Sequence, residues 1–86
     1  MITYIATFYS HYGAIQFRRN CQAMNLSAEV MPVPRDLSSS CGTCVKFLLE
    51  EDIEQFVQSG IFDEDVDTVY LVEDDSYTPV YQNHIR

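Results

Sequence analysis

The stretch from Pro32 to Cys44 constrains the fold of this chain more than any other. It holds two prolines, a glycine and three consecutive serines, Ser38 to Ser40. Proline fixes φ and lacks a backbone N–H, so this composition cannot continue a regular helix or a central strand. We therefore predict a loop here. Two of the three cysteines lie at its far end, and loops with oxidisable thiols are often chemically active.

Composition limits the classes of partner. With 86 residues the chain is short enough for one domain, and 47% hydrophobic residues exclude a disordered chain. The formal net charge of −8, from 13 acidic and 5 basic residues, opposes binding to phosphate backbones and anionic lipids. We therefore expect no nucleic-acid partner and no membrane partner.

The expected compartment is the cytoplasm. No apolar run reaches the ~20 residues of a membrane helix, and the N-terminus lacks a basic region followed by an apolar one. Three cysteines, an odd number, argue against a disulfide framework and favour thiols in a reducing environment.

Before the loop, the pattern predicts a strand, a helix and a second strand. Ile2 to Phe8 is rich in β-branched and aromatic residues, which favours a strand. Ser10 is a suitable N-cap for a helix from His11 to about Met24, which carries one apolar stripe. Ala28 to Val33 is short and apolar, as expected of a strand.

After the loop, Val45 to Leu49 alternates as a half-buried strand does. Helical spacing also runs on from Val45 to Val57, so a single long helix that opens at the cysteine segment is an open alternative. An acidic first turn at Glu50 and Glu51 predicts a second helix that ends at Gly60. Thr68 to Val72 is predicted to be the last strand.

The resulting order, β-α-β-β-α-β, predicts an α+β ferredoxin-like domain over residues 1–74, with a four-stranded antiparallel sheet and both helices on one face. Residues 75–86 are a polar tail or an edge strand around Pro79 to Gln82. The other sheet face is then open, and open apolar faces often bind a partner or a second copy. The side chains expected on this face are those of Tyr4 or Ile5, Leu48, Tyr70 and Val72.

The segment from Cys41 to Cys44 is a C-x-x-C motif. This spacing lets two thiols form a small disulfide ring or bind one soft metal, and Gly42 leaves room for a reactant to approach Cys41. A zinc site needs two further ligands, and neither a second C-x-x-C nor an H-x-x-x-H motif is present. We therefore predict no metal and no cofactor.

Reactivity at Cys41 depends on its thiolate, and an unperturbed cysteine thiol with a pKa of ~8.5 is little ionised at neutral pH. Arg35 and Lys46 flank the loop and are candidates to stabilise the thiolate, although each is equally well explained as a solvated surface charge. Backbone N–H groups at Ser39 and Ser40 could form an anion-binding nest.

The remaining candidates are weaker. Cys21 lies on the apolar stripe of the first helix, which is typical of a core thiol. His11 and His84 are far from the cysteines in sequence. The acidic residues are expected to begin helices and to line solvated turns.

At this loop the sequence resembles the selenium/sulfur carrier protein-like family. The resemblance rests on the strand Tyr4 to Phe8, on Pro32-Val33-Pro34-Arg35, and on Leu37-Ser38-Ser39-Ser40-Cys41-Gly42, and it extends from residue 2 to about residue 72. It implies that Cys41 carries sulfur or selenium as a persulfide or selenosulfide, with Arg35 at the family's basic position. Cys44 falls where many members have a small or apolar residue, which admits a disulfide role.

Three hypotheses follow. The first is a sulfur or selenium carrier that uses Cys41 as the acceptor and docks a sulfur- or selenium-handling partner protein on the loop, acting as an accessory protein rather than a stand-alone enzyme. The second is a dithiol redox protein in which Cys41 attacks and Cys44 resolves. The third is a non-enzymatic binding or regulatory module that dimerises through its open sheet face.

Overall fold

The computed structural model describes residues 1–37, 41–50, 53 and 65–82. These residues form one antiparallel sheet with the strand order β2-β3-β1-β4-β5. In chain order the elements are β1 (Ile2–Phe8), α1 (His11–Ala23), β2 (Ala28–Pro32), β3 (Thr43–Leu49), β4 (Val66–Glu73) and β5 (Ser76–Gln82).

The predicted ferredoxin-like sandwich, with four strands and two helices, is wrong. The sheet has five strands, because the chain turns at Asp74 and Asp75 and returns as β5 beside β4. Asp74 has φ 53, a left-handed conformation that aspartate tolerates better than most residues. Among the described residues, α1 is the one helix with defined bounds, and Ile53 is also helical. The second predicted helix falls on residues that, apart from Glu50 and Ile53, lie outside the described ranges.

The fifth strand lies at the sheet edge, which explains its polar sequence. An edge strand pairs on one side only and buries little surface, so it tolerates proline and needs few apolar residues. Pro79 pairs in register with Tyr70, next to an irregularity in β4 between Val69 and Tyr70. A polar tail with one proline is therefore compatible with a strand.

Helix α1 forms where it was predicted. The Ser10 Oγ caps it by accepting a hydrogen bond of 3.0 Å from the Gly13 N–H. Its buried stripe consists of Ala14, Phe17 and Cys21, at steps of three and four residues, and this stripe packs against the sheet. Asn25, at φ 63, then ends the helix.

The core lies between α1 and one face of the sheet, and Phe47 is at its centre. Phe47 is fully buried, with its ring centroid 5.7 Å from that of Tyr4 and 5.1 Å from that of Phe17. Val45 and Leu49 are buried on the same side of β3, as the alternation predicted. The strand prediction for residues 45–49 is confirmed, and the alternative of a single long helix is wrong.

The opposite sheet face carries the other set of alternating residues. Strand register places Ile5, Leu48, Tyr70 and Val72 on this face, whereas Tyr4 packs into the core. Ile5 is buried and the other three are half-buried. Association of two copies through this face stays a prediction.

Gly13 is predicted to be intolerant of alanine. A Cβ at Gly13 would overlap the Cβ of Asp65, whose position is held because the Tyr9 N–H donates a 2.8 Å hydrogen bond to the Asp65 backbone oxygen. Rotation of the Asp65 side chain cannot move its Cβ away. We expect Gly13→Ala to lower the free energy of unfolding by about 1–3 kcal/mol, although alanine normally favours a helix by ~1 kcal/mol.

Urea unfolding of Gly13→Ala tests this, with Asn20→Ala, at an exposed position of the same helix, as the control. Asn20→Ala should be neutral or slightly stabilising because it changes only helix propensity. A Gly13→Ala protein as stable as the wild type would show that Asp65 does not pack against α1.

Candidate functional site

The candidate site lies at the end of the sheet where β1 leads into α1 and where β3 begins. Strands β2 and β3 form a hairpin whose last register pair is Pro32 with Thr43. One step further, the Val33 N–H donates to the Gly42 backbone oxygen at 3.2 Å. Val33 and Gly42 are therefore held together, and Cys41 lies directly beside this contact.

Cys41 is half-buried, and its side chain packs against the edge of the hydrophobic core. Its Sγ donates a hydrogen bond to the Thr43 backbone oxygen at 3.5 Å. Gly42, between these residues, has φ 74, and a Cβ there would meet no atom within 4 Å. The backbone conformation therefore explains the glycine, and the space beside it is open.

Cys44 lies in a different environment. It pairs in register with Thr7 and Met31, on the sheet face away from α1, and its side chain is fully buried. Its Sγ donates to the Pro32 backbone oxygen at 3.6 Å. Burial raises the pKa of Cys44 to about 11, and the negative charge of a Cys41 thiolate adds to this effect. Cys44 therefore stays protonated at neutral pH, which makes it a weak attacking group.

Cys21 is a core thiol, as predicted. It is fully buried on the sheet side of α1, and burial raises its pKa to about 12. The three cysteines are all thiols, and Cys41 is the one that is not fully buried. The dithiol hypothesis stays a prediction.

The two predicted thiolate-stabilising residues, Arg35 and Lys46, lie in different parts of the fold. Arg35 is exposed in a turn that is closed by a 3.0 Å hydrogen bond from the Leu37 N–H to the Pro34 backbone oxygen. Lys46 is exposed on the sheet face of Cys44, opposite Glu29 in register. Their roles stay predictions.

Ser39 and Ser40, whose backbone N–H groups were predicted to form an anion-binding nest, lie outside the described residues. The nest stays a prediction. Within residues 1–37, 41–50, 53 and 65–82, no three His, Cys, Asp or Glu side chains come close enough together to hold a metal ion.

Sequence reasoning missed His11. It is exposed at the first position of α1, and its Nδ1 lies 3.2 Å from the Thr43 Oγ1, a hydrogen bond across 32 residues of sequence. Thr43 is thus contacted by His11 through its side chain and by the Cys41 thiol through its backbone oxygen. The pairing of β1 with β3 brings His11 and Cys41 to the same end of the sheet, and only that pairing could have revealed it.

Fold and site together define a small α+β domain that presents one accessible thiol from a hairpin loop. Residues 3–67 match the family described as "Putative Se/S carrier protein-like", and the chain belongs to that family. The predicted family membership is therefore confirmed.

The chain is also similar to a protein of Escherichia coli (strain K12) described as "Uncharacterized protein YtiA". The two are 38% identical over 45 residues, which cover 52% of this chain and 53% of that protein. The match thus spans about half the length of this curated relative. No solved structure matches the chain. Helices long and apolar enough to cross a bilayer are absent from the part of the chain that the structure describes.

Proposed function

We propose that this chain carries sulfur or selenium on Cys41 and exchanges it with a sulfur- or selenium-handling partner protein. The proposal rests on the difference in exposure among the three thiols: Cys21 and Cys44 are fully buried, and Cys41 is half-exposed in the loop. The family description supports a carrier role. A carrier needs one thiol that a partner can reach, and Cys41 meets this need.

The transfer is an exchange that requires no added oxidant. The Cys41 thiolate attacks the outer sulfur of a persulfide on the donor protein. A new S–S bond forms at Cys41, the S–S bond of the donor breaks, and the donor leaves as a thiolate. A donor selenosulfide transfers selenium by the same exchange, since attack at selenium forms an S–Se bond and releases the donor thiolate.

Arg35 fits the approach of such a donor. Its side chain is exposed in the same loop as Cys41, in a chain whose net charge is −8. A persulfide is largely anionic at neutral pH and takes up a proton before its outer sulfur is attacked, so a local positive charge favours its approach against the overall repulsion. We assign Arg35 this steering role, and its loss should slow loading without changing the site of modification.

Intact mass measurement tests the proposed function. The reduced wild-type, Cys41→Ser and Cys44→Ser proteins are incubated with inorganic polysulfide, and each mass is measured with and without thiol alkylation. The wild type and Cys44→Ser are expected to gain sulfur at Cys41, whereas Cys41→Ser gains none. Cys44→Ser is the matched control because it removes a thiol of the same motif that is fully buried.

The other outcomes separate the two alternatives. Rapid loss of two hydrogen atoms that needs both Cys41 and Cys44 would mean an internal disulfide and would favour the dithiol protein. No selective modification of any cysteine would contradict both thiol hypotheses and favour the binding module.

A further inference from the structure

His11 lies at the candidate site without a part in the chemistry described so far. Its Nδ1 is hydrogen-bonded to the Thr43 Oγ1 at 3.2 Å, and its side chain is exposed. In the tautomer whose Nδ1–H donates to the Thr43 Oγ1, this bond orients the imidazole ring and leaves Nε2 as the nitrogen that can accept a proton. The Cys41 thiol contacts the backbone oxygen of the same residue, Thr43.

We propose that His11 is the proton-transfer group for sulfur exchange at Cys41, an inference that rests on the proposed function. The exchange moves one proton: the Cys41 thiol must lose it before attack, and the donor thiolate takes one up after the S–S bond breaks. Imidazole accepts and releases a proton near neutral pH, and general acid–base groups act directly or through one water molecule.

Other charged groups recorded at this end of the sheet are less suited to this role. Arginine does not give up its proton in proteins, which excludes Arg35. Asp65 packs against Gly13 in the first turn of α1, and an ionised carboxylate is a weak base toward a thiol. Asp36 is exposed beside Arg35 in the loop, and its carboxylate group is likewise a weak base toward a thiol.

The step balances in protons and electrons. With the hydrogen of the neutral imidazole on Nδ1, the proton of the Cys41 Sγ passes through one water molecule to Nε2 of His11, and the resulting thiolate attacks the outer sulfur of the donor persulfide. As the bond between the two donor sulfurs breaks, its electron pair stays on the departing sulfur. His11 then returns the proton to that sulfur. No oxidant or reductant enters the step.

The test measures the rate of sulfur gain at Cys41 with glutathione persulfide as the donor, by quenched intact mass. His11→Ala and His11→Gln are both expected to reach the same final loading as the wild type, about 10- to 100-fold more slowly. This decrease in rate is at or below the usual range for the loss of a general acid–base group, because part of the Cys41 thiol ionises without a base. Tyr12→Ala, at the next position of α1, which is also exposed, is the matched control and should load at the wild-type rate.

Two readouts separate proton transfer from a structural role. Free imidazole should restore the rate of His11→Ala and leave that of the wild type unchanged. Glutamine can keep a hydrogen bond to Thr43 but cannot transfer the proton, so a His11→Gln protein that loads at the wild-type rate would overturn the proposal. Slow loading that imidazole does not restore would also contradict it. A wild type that takes up no sulfur at all would overturn the proposed function itself, an outcome distinct from a change in rate.

Discussion

Replacing Phe47 with alanine is expected to lower the free energy of unfolding by about 3–5 kcal/mol. Phe47 is fully buried at the centre of the core, between the rings of Tyr4 and Phe17. Its removal loses the burial of the ring and leaves a cavity that these two neighbours cannot fill together. A domain of this length is stable by only about 4–13 kcal/mol, so the variant should lose a large part of its stability.

Urea unfolding followed by circular dichroism measures this effect, and Leu48→Ala is the matched control. Leu48 is adjacent in sequence but points to the opposite, half-exposed face of the sheet, so its truncation should be clearly less destabilising. Phe47→Leu, which keeps most of the apolar volume, should fall between the two and keep the transition measurable. Equal losses for Phe47→Ala and Leu48→Ala would contradict the assignment of the core to the α1 face.

The elements near the start of the chain could be predicted because their signals are local. β1 runs from Ile2 to Phe8, the residues predicted, because β-branched and aromatic residues are concentrated there. α1 begins after Ser10, whose side chain caps it. For β3, the sequence was consistent with both the alternating pattern of a strand and the spacing of a helix. The strand forms because Val45, Phe47 and Leu49 bury the same side against α1 while Lys46 stays in solvent.

The fifth strand was predicted only as one of two alternatives for residues 75–86, an edge strand around Pro79 to Gln82 or a polar tail. β5, Ser76–Gln82, is mostly exposed and contains Pro79, so it lacks the apolar alternation of a half-buried strand. What holds it is the ladder to β4 and the turn at Asp74, features that appear only when the partner strand is known. The four-stranded prediction failed because an edge strand leaves a weak composition signal.

The candidate site, like the fold, could be predicted only in part. The loop and Cys41 follow from composition, because two prolines and a glycine interrupt regular structure wherever they occur. The difference between Cys41 and Cys44 does not follow, since the two are three residues apart and only the strand geometry buries the second. His11 also depends on pairing, because its contact with Thr43 joins the end of β1 to the start of β3.

Alkylation of the native protein by iodoacetamide at pH 7.5 is expected to label Cys41 alone. With pKa values raised to about 11 and about 12, only about 1 in 3,000 Cys44 thiols and about 1 in 30,000 Cys21 thiols are ionised at that pH. Full burial of both side chains slows their reaction further. We expect Cys41 to react at least about a hundredfold faster than either, and all three cysteines to react in urea.

The pH dependence of labelling separates the two causes of slow reaction at Cys44, its raised pKa and the burial of its side chain. Because burial raises its pKa, the folded protein keeps the thiol proton of Cys44 at pH values where an unfolded thiol has lost it. The fraction of Cys44 present as thiolate should therefore increase about tenfold per pH unit up to about pH 11. Labelling of Cys44 in native Cys41→Ser should follow this slope, and a higher rate than in the wild type is also expected because the neighbouring charge is gone. Peptide mapping of the alkylated protein assigns each label. If Cys44 reacted as fast as Cys41 at pH 7.5, the buried position of Cys44 would be wrong, and the case for Cys41 as the single carrier thiol would fall with it.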